Sequence, residues 1–93
     1  MNSGEPFDLQ ITATARSQLA EDLPEAVAFA AYEFIFGPLL GNPHRVGKRM
    51  TPPLDDRHCA RRGTYRVIYR IDDERRIVTV VGIGHRSDIY RTP

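Results

Sequence analysis

After a polar start, Phe7-Asp-Leu-Gln-Ile-Thr12 alternates apolar and polar positions, which predicts a half-buried strand. Thr12 and Thr14 are both able to cap a helix running through Arg16, Leu19 and Ala20 towards Leu23. Pro24 suits the first turn of a second helix, and Glu25 beside it complements the helix dipole. Over about 25–37 that helix carries Ala26, Val27, Ala30, Ala31 and Phe34 on broadly one side. Phe29 and Phe36 widen this apolar face, and Gly37-Pro38 is expected to end the helix. Residues 38–56 are rich in proline and read as an ordered surface loop bearing Arg45, Lys48 and Arg49. Three strands should follow, at about 57–62, 64–71 and 76–84, with tight turns at Gly63-Thr64 and at Asp72-Asp73-Glu74. Ile77, Val78, Val80, Val81 and Ile83 are β-branched, as a central strand requires. A short turn or helix at about 86–92 closes the chain. The predicted fold is α+β: one domain over residues 1–93 in the order β-α-α-β-β-β. A mainly antiparallel sheet packs on two helices, and residues 1–6 are flexible.

Ninety-three residues suffice for one such core, which should bury roughly 60–68% of the unfolded surface. No apolar run approaches the ~18 residues that cross a bilayer. The first six residues lack the charged and apolar regions of a signal peptide, so a cytoplasmic protein with no membrane partner is expected. The lone Cys59 makes no internal disulfide and reads as a small, buried, inert thiol. With no HExxH, paired cysteines or Asp-rich loop, neither a metal nor another cofactor is expected.

Charge changes this picture. Residues 1–43 hold one basic residue, Arg16, against six acids; residues 44–93 hold twelve Lys and Arg against six acids. The net charge of +1 hides that contrast. A basic half suits a polyanion, because Lys and Arg contacts to phosphates supply most of the sequence-independent affinity for nucleic acid. In strand 64–71, period two puts Tyr65, Val67, Tyr69 and Ile71 on a core face and Thr64, Arg66, Ile68 and Arg70 on the other. Arg70 reads as solvated. Arg66 has Arg61 and Arg62 just across the hairpin turn, and clustered arginines repel unless an anion lies between them. Downstream, His85 and Arg86 follow a Gly-Ile-Gly at a sheet end, and Tyr90 follows shortly after. A histidine titrates near neutrality, and a tyrosine stacks on bases or donates a proton. His44, in the proline-rich loop, is expected in solvent, while His58 could face either the groove or water.

These segments resemble the RelE family of bacterial toxins, within the RelE/ParE superfamily of toxin–antitoxin systems. The resemblance rests on Pro43-His-Arg-Val-Gly-Lys48, Ala60-Arg-Arg-Gly-Thr-Tyr-Arg-Val-Ile-Tyr69, Ile71-Asp-Asp and Gly84-His-Arg-Ser-Asp-Ile-Tyr90, and runs from about residue 7 to 91. The helix pair with Phe34-Ile-Phe-Gly-Pro-Leu39 is similar to the actinobacterial members. The resemblance implies a metal-independent endoribonuclease that cuts mRNA in the ribosomal A site. A ribose 2′-OH attacks its neighbouring phosphate, leaving a 2′,3′-cyclic phosphate and a 5′-OH. A RelB-like antitoxin would neutralise it.

By position, the resemblance implies Arg61, Arg66 and Arg86 as phosphate clamps, His85 as general acid or base, and Tyr90 as orienter or stacking partner. Lys48, Arg49, Arg57 and Arg62 would contact RNA, and the basic face would meet the ribosome. Where some relatives carry lysines seven and nine positions before the strand arginine, this chain has Cys59 and Arg57, so either His85 or His58 serves as base, or the enzyme is slow, or it acts mainly by positioning RNA. Two other readings remain: a ParE-like inhibitor of DNA gyrase, and a catalytically degenerate protein that binds RNA or antitoxin.

Overall fold

The computed structural model describes residues 5–85, with His85 described by its main chain. The first part of the expected flexible start, residues 1–4, and the expected C-terminal turn at about 86–92 lie outside the described residues. The chain begins with strand β1 (Asp8–Ile11) and helix α1 (Ala13–Ser17), which widens into a π turn over Gln18–Asp22. Thr12 caps α1, its Oγ1 accepting from the Ala15 N–H at 3.1 Å. Helix α2 (Glu25–Phe34) begins after Pro24, as expected.

Gly37-Pro38 does not end that helix. The chain continues through a second π turn at Ile35–Leu39 and buries Leu39 and Leu40. In a regular helix Pro38 would lack its N–H bond and collide with the carbonyl four residues back. The longer π-type spacing relieves that collision. Phe29 and Phe36 do not widen the buried face either; they are 64% and 59% exposed. With Tyr32 they form a separate stripe, because successive steps of three and four residues keep them together on the side away from Ala31 and Phe34.

The proline-rich segment is more structured than a loop. It contains a short helix, α3 (Pro43–Val46), and a two-residue strand, β2 (Lys48–Arg49). Strands β3 (His58–Arg62), β4 (Tyr65–Asp72) and β5 (Ile77–His85) follow, within a residue or so of the expected bounds. Gly63 turns β3 into β4 at φ +59°, a left-handed setting that glycine adopts without steric cost. The sheet order is β1-β5-β4-β3-β2; β1 runs parallel to β5 and the other pairs are antiparallel. The fold is therefore α+β, with the helices covering one face: Tyr65, Val67, Tyr69, Val78, Val80 and Ile83 are buried against Ala15, Leu19, Phe34, Ile35 and Leu39.

Strand β1 stops opposite Val80, and among the described residues no strand flanks the far end of β5 on that side. Two residues continue the pairing. The Thr12 N–H donates to the Val80 carbonyl at 3.0 Å, and Gln18 Oε1 accepts from the Ile83 N–H at 2.7 Å. Replacing Gln18 with Leu leaves that N–H unpaired beneath the helix. Gln18→Leu should lower unfolding stability by about 1–3 kcal/mol, read as a fall in the denaturant midpoint at constant slope. An unchanged midpoint would show that water replaces the amide at no cost.

Candidate functional site

In the β3–β4 ladder Arg61 pairs with Arg66 and Cys59 with Ile68, and in the β2–β3 ladder Lys48 pairs with Cys59. Side chains at paired positions share a face. Lys48, Cys59, Arg61 and Arg66 therefore stand on the face opposite the helices, since the alternate residues Ala60, Tyr65 and Val67 are buried in the core. A cavity of about 610 Å³ opens there. Its described lining includes six cationic side chains, Arg45, Lys48, Arg49, Arg61, Arg62 and Arg66, and no carboxylate. Val46, Gly47, Met50, Thr51 and Cys59 complete it.

Arg66 is the most constrained of the six, only 4% exposed on a strand flanked on both sides. Arg61, its partner across the ladder, is exposed. A buried cation held on a rigid strand beside an exposed one is a preorganised anion site, because little side-chain freedom is left to lose on binding. Cys59 is half-buried and lines this cavity instead of sitting inert in the core. Odd numbering within β3 puts it on the arginine face.

The expected RNA contacts divide. Lys48 and Arg49 line the cavity. Arg62 borders it, but lies on the helix-side face with its guanidinium 4.6 Å over the Phe34 ring. Its Nη1 donates to the Arg61 carbonyl at 2.7 Å and its Nη2 to the Val46 carbonyl at 3.4 Å. Arg62 thus ties α2, α3 and β3 together. Arg57 does not line the cavity; it sits before β3 with Nε 3.6 Å from Asp56 Oδ1. Sequence reasoning missed Arg45, Met50 and Thr51, because elements as short as α3 and β2 leave no periodic signal.

Strand β5 places Gly84 opposite Arg66 and His85 opposite Tyr65. The side chain of His85, and all of Arg86 and Tyr90, lie outside the described residues. His58, the alternative base, is on the wrong face: it pairs with Tyr69 and stacks on its ring at 5.6 Å, beneath the helix side. Its Nδ1 is buried and has no hydrogen-bond partner among the described residues. His44 meets it edge-on at 5.8 Å and, though exposed as expected, is bound to Asp73, with Nε2 2.8 Å from Oδ1. Burial, helped by His44 and Arg49 and opposed by Asp73, lowers the His58 pKa below its usual 6.5.

This cluster anchors the segment that carries half of the cavity. Tyr69 Oη donates to the Pro43 carbonyl at 2.6 Å, and burial raises the phenol pKa to about 12. Gly47 then passes so close that a Cβ there would lie 2.9 Å from the Cys59 carbonyl oxygen and collide with Tyr69 Oη.

Tyr69→Phe removes the donor and leaves a buried carbonyl; stability should fall by about 1–3 kcal/mol, with faster amide exchange confined to residues 43–50. Uniform exchange across the sheet would contradict the anchoring role. His58 should make folding acid-sensitive. Its folded pKa is depressed, so the unfolded chain takes the proton first and stability falls as pH drops through 6.5. Between about pH 7.5 and pH 5.5 wild type should lose more stability than His58→Phe, which keeps the stacking without the titration. Equal losses would remove His58 from that role.

Against known proteins, a family model described as the ParE toxin of type II toxin–antitoxin systems, parDE, matches residues 9–90. The chain is 50% identical over 91 residues to Toxin RelE of Mycobacterium tuberculosis, covering 98% of this chain and 93% of that protein. It is 46% identical over 86 residues to Toxin RelG of the same organism, covering 92% and 98%. Among solved structures, the RelBE2 toxin–antitoxin complex of M. tuberculosis is similar at 44% identity with a TM-score of 0.84, over 88% of this chain and 100% of that one. The intact RelBE complex of E. coli has the same fold, with a TM-score of 0.70 at 18% identity over 85% and 95%. Among the described residues no helix is long and apolar enough to cross a membrane. With its sheet, its helices and nearly its whole length matched, the chain belongs to the RelE/ParE family of type II toxin–antitoxin toxins.

Proposed function

We propose that this chain is a ribosome-dependent endoribonuclease that cuts mRNA in the A site without a metal. The observation that carries the reading is Arg66, nearly fully buried, in register with Arg61 inside a cavity whose described lining is wholly free of carboxylates. Arg61 and Arg66 hold the scissile phosphate and neutralise the charge that develops on its non-bridging oxygens as the 2′-OH attacks. The 2′-oxygen forms its bond to phosphorus as the 5′-oxygen leaves, giving a 2′,3′-cyclic phosphate and a 5′-OH. One group must take the 2′-OH proton and another must give a proton to the leaving oxygen. His85 fills one of these roles, Arg86 adds a third clamp, and Tyr90 orients or stacks on the substrate. His85 ends β5 at the sheet end where Gly84 meets Arg66, and its own ladder partner is Tyr65 of the helix-side face, so it serves the phosphate from the end of the strand and not from the arginine face.

The partner in this reading is a RelB-like antitoxin, since the similar M. tuberculosis structure is a RelBE2 toxin–antitoxin complex. An acidic or amphipathic segment of that antitoxin complements the cationic cavity. A second reading, a gyrase inhibitor that cuts no nucleic acid, draws on the family model's description by parDE toxins. Two relatives near half identity carry RelE and RelG names and favour the nuclease.

Induced expression in a bacterial host, with primer-extension mapping of mRNA ends, decides between them. The nuclease predicts growth arrest with new 5′ ends inside translated codons. Arrest without new ends, accompanied by DNA damage, would overturn it in favour of the gyrase-type toxin. Arg66→Ala should lower cleavage by roughly 10²–10³-fold, as loss of one transition-state donor does. Arg66→Lys, which keeps the charge but loses the planar fork, should recover only part of it. Comparing the unfolding midpoints of both variants separates a lost clamp from a lost fold.

A further inference from the structure

The six cations of the cavity are too many for one phosphodiester. A diester carries a single negative charge, far fewer than the positive charges that line the cavity. The volume agrees: about 610 Å³ is well beyond what one phosphate group fills. Arg62 is already engaged with Phe34 and two carbonyls. The remaining five fall into two groups by strand. Arg61 and Arg66 face each other across β3 and β4, while Arg45, Lys48 and Arg49 lie on α3 and the edge strand β2, Lys48 on the arginine face and Arg49, the ladder partner of His58, reaching the cavity around the sheet edge.

Their separation follows from the ladder. Lys48 pairs with Cys59, two residues along β3 from Arg61. With about 4.8 Å between strands and about 3.3 Å per residue, the Lys48 Cα lies roughly 8 Å from that of Arg61 and roughly 12 Å from that of Arg66. A nucleotide backbone covers such a span within two repeats. The cations thus make a diagonal track across three strands. Val46, Met50 and Thr51 supply apolar and hydroxyl surface beside the outer group. This outer group is held in place through Tyr69 and Pro43, His44 and Asp73, and Arg62 and Val46.

We propose that Arg45, Lys48 and Arg49 form a second phosphate subsite, which grips a phosphodiester flanking the scissile one and so sets which nucleotide lies over Arg61 and Arg66. The proposal rests on the nuclease reading above and deepens it. These three act by positioning, and they take no part in the proton transfers.

The test uses the isolated full-length toxin and oligonucleotides made uncleavable by a 2′-methoxy group, a dinucleotide and a hexanucleotide, in anisotropy titrations at stepped salt. Wild type should bind the hexanucleotide much more tightly. The double variant Lys48→Ala/Arg49→Ala should lose roughly tenfold or more on the hexanucleotide, and its salt slope should fall by about 1.4, or about 0.7 for each lost contact to a single strand. Its dinucleotide affinity should stay near wild type, whereas Arg66→Ala should weaken both ligands. Equal losses on both lengths, or no loss on either, would overturn the subsite and leave the nuclease reading standing. Unchanged RNA affinity with weakened binding of an acidic antitoxin peptide would assign the outer arm to the antitoxin instead. Failure of wild type to bind either oligonucleotide would overturn the subsite on the isolated toxin, while the primer-extension map decides the ribosome-dependent nuclease reading separately.

Discussion

The cationic cavity depends on one buried hydrogen bond, from Tyr69 Oη to the Pro43 carbonyl. Tyr69 belongs to the centre of the sheet and is fully buried, so its hydroxyl has little to pair with except the segment packed over it. A buried hydroxyl without an acceptor is costly, and so is a buried carbonyl without a donor. Each therefore enforces the other's position. With the phenol pKa pushed up to about 12, the group stays a donor well above neutral pH. Because Pro43 is fixed there, α3 and β2 have one path to follow along the sheet edge, and Gly47 is the residue that fits where that path nearly touches Tyr69 and Cys59.

From that constraint the two faces of the sheet acquire different work. The face carrying Tyr65, Val67 and Tyr69 is closed by α1 and α2 and supplies the hydrophobic stabilisation. The other face has Arg61, Arg66, Lys48 and Cys59 at adjoining ladder positions, so the backbone that builds the core also fixes the cations. Like charges on neighbouring strands repel, and an anion held between them offsets that repulsion. Burial of Arg66 sharpens the effect, because solvent screens a buried charge far less than an exposed one.

The long β strands were legible in the sequence because their signals are local. Alternation in 64–71 separated Tyr65, Val67 and Tyr69 from Arg66 without any knowledge of partners, and Gly63 marked the turn. Pro38 misled because a proline's local effect is to break a helix, while burial of Leu39 and Leu40 favours carrying the chain on through a π turn. Phe29 and Phe36 misled because composition rewards apolar side chains wherever they fall, while only one side of α2 meets the sheet. Arg57, Arg62 and His58 show the limit of counting charges. Each has the right chemistry, but the parity of β3 and a neighbouring Asp56, Phe34 or Tyr69 decides where that chemistry points. Arg45, Met50 and Thr51 joined the site only through tertiary contacts that no short-range pattern encodes.

The edge strand brings these threads together. A sheet edge exposes unpaired main-chain groups and invites pairing with another chain, and short, charged edges discourage it. Strand β2 is two residues long, and both are cationic and exposed. Replacing them with apolar residues would remove cations from the cavity and also create a stickier edge, so loss of solubility and loss of anion binding would arrive together. The alanine pair avoids most of that confusion, since it removes the charge while leaving little apolar surface to recruit a neighbour. An edge built this way needs no separate device to keep it from pairing: the lysine and arginine that would meet a polyanion are the same residues that repel a second sheet.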